Sequence, residues 1–202
     1  MNKGKKIILA SGSPRRKELL TGLDIDFEVD TLNSFEEHYS TDTPHSQIPV
    51  LMSEGKSYGF HRPLEKDEIL ITSDTMVLCG DEVLGKPRGG NDEEKAEDAA
   101  RMLRILSGKT HEVITAVTIR DYSHHETFSD TTAVRFKELT EKEISYYIGK
   151  YRPFDKAGAY GVQEWIGYIG IDSIKGSFYT VMGLPVHLLY SHLQDFMTYR
   201  PL

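Results

Sequence analysis

The sequence predicts an α/β protein built on a mixed twisted sheet with flanking helices, and three observations carry that expectation. A short apolar run, Lys6–Ser11, ends in Gly12-Ser13-Pro14 and gives way to a helical pattern: a strand, a tight turn and a helix in succession. Strand-like and helix-like segments then alternate along the chain. Val113, Thr115, Val117 and Ile119 are followed, across the polar stretch Asp121–His125, by Val134 and Phe136. That is the pattern of a long hairpin, so the sheet is mixed and not purely parallel.

Each element has its own local cause. Ser13 suits a helix N-cap with Pro14 at the first helical position, and Gly22 suits the C-terminal stop. Ile25–Val29 reads as a second strand. Asn33–His61 is polar and weakly periodic, a loop followed by a helix that carries Lys56. Ile69–Cys79 reads as a strand interrupted by Ser73-Asp74-Thr75, with Gly80-Asp81 turning into Glu82–Leu84. Asn91–Leu106 is the clearest helix: Asn91 with Glu94 resembles a capping box, and Ala96, Ala99, Ala100, Leu103 and Leu106 share one face before Gly108 ends it. Thr140 and Glu143 cap a shorter helix that ends at Gly149. Ile166–Ile171 and Phe178–Met182 read as late strands, and Pro185–Phe196 as a closing helix.

At 202 residues the chain is long enough for one domain, or for two lobes sharing one sheet. Its 39% hydrophobic and 27% charged residues are those of an ordinary globular protein. A net charge of -7 argues against general affinity for a nucleic-acid polymer, so any phosphate chemistry needs a local basic pocket. The single cysteine, Cys79, excludes an intrachain disulfide and reads as a buried structural thiol. The basic start Met1-Asn2-Lys3-Gly4-Lys5-Lys6 is followed by only Ile7–Ala10, too short for a signal peptide or a membrane span, which points to a cytoplasmic protein.

Ser11-Gly12-Ser13-Pro14-Arg15-Arg16 carries the most chemistry. A helix start already holds partial positive charge and unpaired N–H donors. Two arginines in the first turn oppose the helix dipole by roughly a few tenths of a kcal/mol each, and a bound anion reverses that sign. Guanidinium groups take phosphate in bidentate fashion, Gly12 allows close backbone approach, and Ser11 and Ser13 add donors. The same residues also fit an exposed basic helix end with a Ser-Pro cap. Ser107-Gly108-Lys109-Thr110 is not a P-loop, because Leu103 stands where the earlier glycine belongs and the stretch follows a helix.

Asp74, in an otherwise apolar strand, is suited to holding Mg²⁺ and activating a water, although an Asx-turn uses the same residue type. Glu36-Glu37 offers a second oxygen ligand or simply a solvated loop. Lys56 and Lys86 suit phosphate charge, and each alone also fits a solvent-facing lysine. Asp155–Gln163 packs two glycines and two alanines into nine residues, which implies close backbone approach, to a ligand or within a tight crossing. Gln163 offers the donor and acceptor that the edge of a nucleobase requires. The histidines lack ligand spacing, so zinc is not expected.

Taken in order, Ser11-Gly12-Ser13-Pro14-Arg15-Arg16, Ser73-Asp74-Thr75, Gly85-Lys86-Pro87, Leu106–Val113, Asp155–Gly161 and Gly183-Leu184-Pro185 resemble the Maf family, septum-formation-associated nucleoside triphosphate pyrophosphatases. The likeness runs from Ile8 to about Leu193. It implies one Maf/ITPase-like domain over residues 1–202, with two lobes around a deep cleft, and a possible homodimer. It implies Asp74 as catalytic proton acceptor and metal ligand, Glu37 as second acidic ligand, and Mg²⁺ or Mn²⁺ as cofactor. Arg16, Lys56 and Lys86 would hold the triphosphate, while Arg15, Thr75 and Gln163 match positions associated with base selection. The form Asp-Lys-Ala-Gly-Ala-Tyr-Gly-x-Gln resembles the subfamily acting on dTTP and UTP. Two departures bear on substrate preference more than on reaction type: Gly55-Lys56-Ser57 where the family often has Glu-Lys-Ala, and Gln163-Glu164 where it often has Gln-Gly.

The expected reaction is in-line attack of water on the α-phosphorus, cleaving the α–β phosphoanhydride to a monophosphate and pyrophosphate. The alternatives are a pyrophosphatase for methylated or damaged nucleotides, and a nucleotide-binding regulator of cell division with little catalysis.

Overall fold

The computed structural model describes residues 4–198; of the basic start, Met1–Lys3 lie outside the described residues. A seven-stranded mixed sheet has the order β2-β1-β3-β5-β6-β7, with β4 beside β3. Its strands are β1 (Lys6–Leu9), β2 (Phe27–Val29), β3 (Glu68–Cys79), β4 (Glu82–Leu84), β5 (Thr110–Arg120), β6 (His125–Phe136) and β7 (Ile171–Lys175). The helices are α1 (Pro14–Thr21), α2 (Ile48–Tyr58), α3 (Asp92–Leu106), α4 (Glu141–Tyr151), α5 (Trp165–Gly170), α6 (Phe178–Met182) and α7 (Val186–Thr198). Among the described residues no helix is long and apolar enough to cross a membrane.

Two compact units divide the chain. The first comprises Met1–Asp74, Thr115–Asp130 and Gly183–Leu202; the second comprises Thr75–Ile114 and Thr131–Met182. In the first, β1 pairs in parallel with both β2 and β3, which sets Leu9 level with Val29 and Ile71. Ile8, Phe60, Leu64 and Leu70 pack together under it, with Ala10 at the margin. Helix α2 is fastened by buried hydroxyls. Thr72 Oγ1 donates to the Ser53 carbonyl at 2.8 Å, and the Arg120 guanidinium donates to Ser57 through Nε (3.0 Å, to Oγ) and Nη2 (2.5 Å, to the carbonyl). Lys56 lies between those two anchored serines.

In the second unit β4 pairs antiparallel with the end of β3, and β7 antiparallel with β6. Ala99, Met102, Leu103 and Leu106 of α3 are buried, as the 3.6-residue period requires. Asn91 caps α3 by accepting from the Glu94 backbone, but Glu94 turns back to the Gly90 amide, one residue outside the usual box. Thr140 and Glu143 form the complete reciprocal box at α4. Cys79 is buried, as its apolar neighbours imply.

Several boundaries differ from the sequence reading. Strand β3 runs unbroken through Ser73-Asp74-Thr75, because strand backbone pairing is indifferent to polar side chains that find partners of their own. Residues 165–170 are helical, and only Ile171–Lys175 continue as strand. Ile166 and Gly170, four apart, are the buried pair, and a short apolar run cannot by itself tell the two periods apart. Phe178–Met182 is likewise a helical turn, with Thr180 and Val181 amides donating to the Ser177 carbonyl. Helix α4 passes through Gly149 to Tyr151, and Arg152 takes the left-handed cap at φ 46°.

Candidate active site

Four segments of the first unit converge at the end of its part of β3. The first is the start of α1. Ser13 occupies the N-cap in extended conformation, but its hydroxyl makes no capping bond; the Ser13 amide instead donates to Ser11 Oγ at 3.3 Å. The first turn holds no acidic residue, so the dipole of α1 is opposed by Arg15 and Arg16 without relief from its own helix.

Arg16 reaches the strand end. Its Nη1 donates to the Ser73 carbonyl at 2.8 Å and to Ser11 Oγ at 3.4 Å, and its Nε donates to the Gly183 carbonyl at 2.9 Å. Burial lowers the guanidinium pKa from its ordinary value; the Asp74 carboxylate works against that lowering, whereas the neighbouring Arg15 charge adds to it. Three sequence segments are thereby tied at one point. Gly183 enters the site through its main chain, which residue type and spacing do not reveal. Its carbonyl accepts from both Arg16 and Ser73 Oγ (3.3 Å), and its φ of 109° is a conformation that side-chain-bearing residues rarely adopt.

Asp74 and Lys56 supply the second pair. Lys56 Nζ lies 2.5 Å from Asp74 Oδ1 and 2.7 Å from Glu37 Oε1. Asp74 and Lys56 are largely buried, whereas Glu37 is more than half exposed. Asp74 thus follows directly on the carbonyl held by Arg16, and its own carboxylate is held by Lys56.

The loop that delivers Glu37 is zipped onto the end of α2. Asn33 Nδ2 donates to the Lys56 carbonyl at 2.6 Å, Asn33 Oδ1 accepts from the Phe35 amide at 2.8 Å, and the Ser34 amide donates to the Gly59 carbonyl at 2.9 Å. Gly55 explains one departure from the family pattern. A Cβ at position 55 would stand 2.2 Å from the Phe35 ring, so the ring occupies the space a larger residue needs. At Gly59 a Cβ would come within 2.6 Å of Asn33 Oδ1.

Of the residues singled out from sequence, Ser11, Ser13, Arg15, Arg16, Glu37, Lys56 and Asp74 belong to this first unit. Thr75, Lys86 and Gln163 belong to the second. There Thr75 is half-buried in β3, and Lys86 is exposed just after β4. The Gly158 amide donates to the Gly85 carbonyl at 3.0 Å, joining the loop of Lys86 to the Asp155–Gln163 segment. Gly158 has a φ of 68°, and a Cβ on it would press within 3.0 Å of Val77. Gln163 Oε1 is buried and accepts no hydrogen bond from protein.

The carboxylates of Glu37 and Asp74 both meet the Lys56 ammonium, and carboxylate oxygens are the ligand type that Mg²⁺ or Mn²⁺ takes. Among the described residues no three His, Cys, Asp or Glu side chains gather as a cage made of protein alone.

A basic helix start thus stands with two lysine-bound carboxylates at one strand end of an α/β fold. The chain matches the family model described as Maf-like protein over residues 6–196, and it belongs to the Maf family. It is 49% identical over 189 residues to a Bacteroides thetaiotaomicron protein named dTTP/UTP pyrophosphatase, covering 94% of this chain and 95% of that one. A Porphyromonas gingivalis protein of the same name is 47% identical over 193 residues, covering 95% and 94%. One from Flavobacterium johnsoniae is 44% identical over 188 residues, covering 93% of each. A solved structure of a HAM1 protein from Coxiella burnetii is similar over 95% of this chain and 99% of its own, at 12% identity and a TM-score of 0.45.

Proposed function

We propose that the chain is a nucleoside triphosphate pyrophosphatase that cleaves the α–β phosphoanhydride of dTTP and UTP. The observation that carries the proposal is the placement of Arg16 on the Ser73 carbonyl with Lys56 on the Asp74 carboxylate, cations and base at one strand end. The family and the names of its relatives point to the same reaction.

In this reading Arg15, Arg16, Ser11 and Ser13 receive the phosphate chain at the start of α1, and Lys56 and Lys86 bind its remaining oxygens. Lys56 exchanges one carboxylate partner for a phosphate oxygen as substrate enters. Asp74, so released, accepts the proton of a water whose oxygen attacks the α-phosphorus in line; the bond to the bridging β-oxygen breaks and pyrophosphate leaves with that electron pair. A triphosphate together with the two carboxylates carries more negative charge than these four cations neutralise. A divalent cation held by Glu37 and Asp74 supplies the difference when bound. Thr75 and Gln163 contact the base. The reading takes the whole chain as one Maf-like domain of two lobes, acting in the cytoplasm as a possible homodimer.

The test is product analysis. Purified protein with dTTP or UTP and Mg²⁺ or Mn²⁺ is expected to yield the monophosphate and pyrophosphate. Release of the diphosphate with inorganic phosphate would overturn the assigned bond, and a panel of canonical and modified triphosphates ranks the substrates.

A further inference from the structure

Glu164 carries a charge that the proposed chemistry does not use, at a place where the family often has glycine. We propose that Glu164 is a positioning residue for base selection: its carboxylate fastens the Gly161–Gln163 loop, and so fixes where the Gln163 amide is presented. The proposal rests on the reading of the chain as a nucleotide pyrophosphatase with Gln163 at the base.

Both oxygens of the carboxylate are engaged within the second unit. Tyr147 Oη donates to Glu164 Oε2, and the same phenol oxygen accepts from the Gly161 amide at 2.9 Å. Burial, reinforced by the bond to Glu164, pushes the Tyr147 phenol well above its ordinary pKa, so it keeps the proton it donates. Glu164 Oε1 lies 3.0 Å from the ammonium of buried Lys156, which is also 2.8 Å from Asp155 Oδ1. The ion pair therefore spans the segment from its first residues to its end.

Packing adds a second constraint. A Cβ on Gly161 would stand 2.7 Å from Glu164 Cδ, so the loop backbone lies directly on the carboxylate. At Gly167 a Cβ would fall 1.9 Å from the Val162 carbonyl, which leaves the start of α5 equally close on the other side. Gln163 thus sits between two anchored neighbours, and its buried Oε1 lacks a protein donor. A buried acceptor without a partner is costly, and the imide N3–H of thymine or uracil is a donor that satisfies it. Cytosine presents an acceptor at the same ring position. Discrimination of that kind depends on the amide being held still, because a loop free to shift can turn the other end of the amide to the wrong base.

The test compares E164G and E164Q with Y147F, which cuts the same relay from its other end. For each, KM and kcat are measured with dTTP, UTP and CTP, and amide hydrogen exchange is followed over residues 158–164. In E164G the dTTP-over-CTP preference in kcat/KM is expected to fall about tenfold or more, through KM, with kcat for dTTP within about twofold. E164Q, which keeps an acceptor for Tyr147, is expected to fall less. Y147F is expected to follow E164G, and the Gly161 amide to exchange faster in both. Folded variants with unchanged preference and unchanged exchange overturn the proposal, as does a loss confined to kcat. If the wild-type protein does not hydrolyse dTTP or UTP, the catalytic reading fails by itself. Glu164 is then judged by exchange alone: faster exchange at Gly161–Gln163 supports the anchor, and unaltered exchange refutes it.

Discussion

Lys56 Nζ stands 2.5 Å from Asp74 Oδ1, and the same ammonium lies 2.7 Å from Glu37 Oε1. One ammonium shared by two carboxylates leaves the group with a net negative charge, and in the proposed reaction Lys56 gives up one of these partners to substrate. The outcomes expected of the site follow from that pairing and from the bonds that hold its members in place.

Asp74→Asn keeps the shape of the side chain and removes its capacity to take a proton. Turnover of dTTP is expected to fall by roughly a hundredfold or more, the scale of general-base catalysis. The melting temperature should change little, since Glu37 remains beside Lys56. A pyrophosphate-release assay and a thermal melt check the two halves; near-normal turnover in a folded variant removes Asp74 from the base role.

Arg16→Lys retains the charge and loses the fork. A single ammonium cannot reach Ser73, Ser11 and Gly183 in the geometry the guanidinium uses. Stability is expected to drop by about 1–3 kcal/mol, the cost of leaving the buried Ser73 carbonyl without the guanidinium donor, and KM for nucleotide to rise. Urea denaturation read beside initial rates separates the structural part from the binding part.

Chelation by EDTA is expected to abolish turnover, and added Mg²⁺ or Mn²⁺ to restore it. In Glu37→Gln the concentration of cation needed for half-maximal rate should rise roughly ten- to hundredfold, the range seen when groups supporting a metal are removed. A titration of rate against free Mg²⁺ in both proteins decides the matter, and superimposed curves would take Glu37 out of the metal site.

His111 should make stability depend on pH. It is 1% exposed, meets Tyr160 Oη at 2.8 Å through Nε2, and lies edge-on to the Phe136 and Tyr160 rings. Burial lowers its pKa to about 4 from an ordinary 6.5. Between those values the unfolded chain takes up a proton that the folded chain refuses. The contribution is therefore intact above pH 6.5 and lost as pH falls from there towards 4, by roughly 3 kcal/mol in all. His111→Gln removes the titrating group, and the slope of unfolding free energy against pH over that interval should flatten.

How much of this the sequence disclosed varies with the range of the interaction. Elements set by local pattern were legible: the Pro14 helix start, the α3 face, the Thr140–Glu143 box and the antiparallel return after Asp121. Helices of five or six residues were not, because Trp165–Gly170 and Phe178–Met182 are too short for a period of 3.6 to declare itself against β-favouring aromatics. The convergence of Arg16, Lys56 and Asp74 could be inferred only from the ordered set of motifs, since no spacing reveals that residues 16, 56 and 74 meet. Gly183 was visible as a motif without a purpose; its part is played by a main-chain carbonyl, and side-chain chemistry gives no sign of that. Glu164 reads in the sequence as added bulk and charge, because one partner, Tyr147, is distant in the chain and the other, Lys156, lies within the motif but carries no sign of the pairing.

The notch at Gly55 links two positions that a sequence reader would treat as independent. The missing side chain there is the berth of an aromatic ring twenty residues upstream, in the short loop that leads to Glu37. A side chain at position 55 and the Phe35 ring therefore compete for one space. Grafting a longer residue into the helix calls for a smaller one in the loop, with the separation of Glu37 from Lys56 as the expected result where it is omitted.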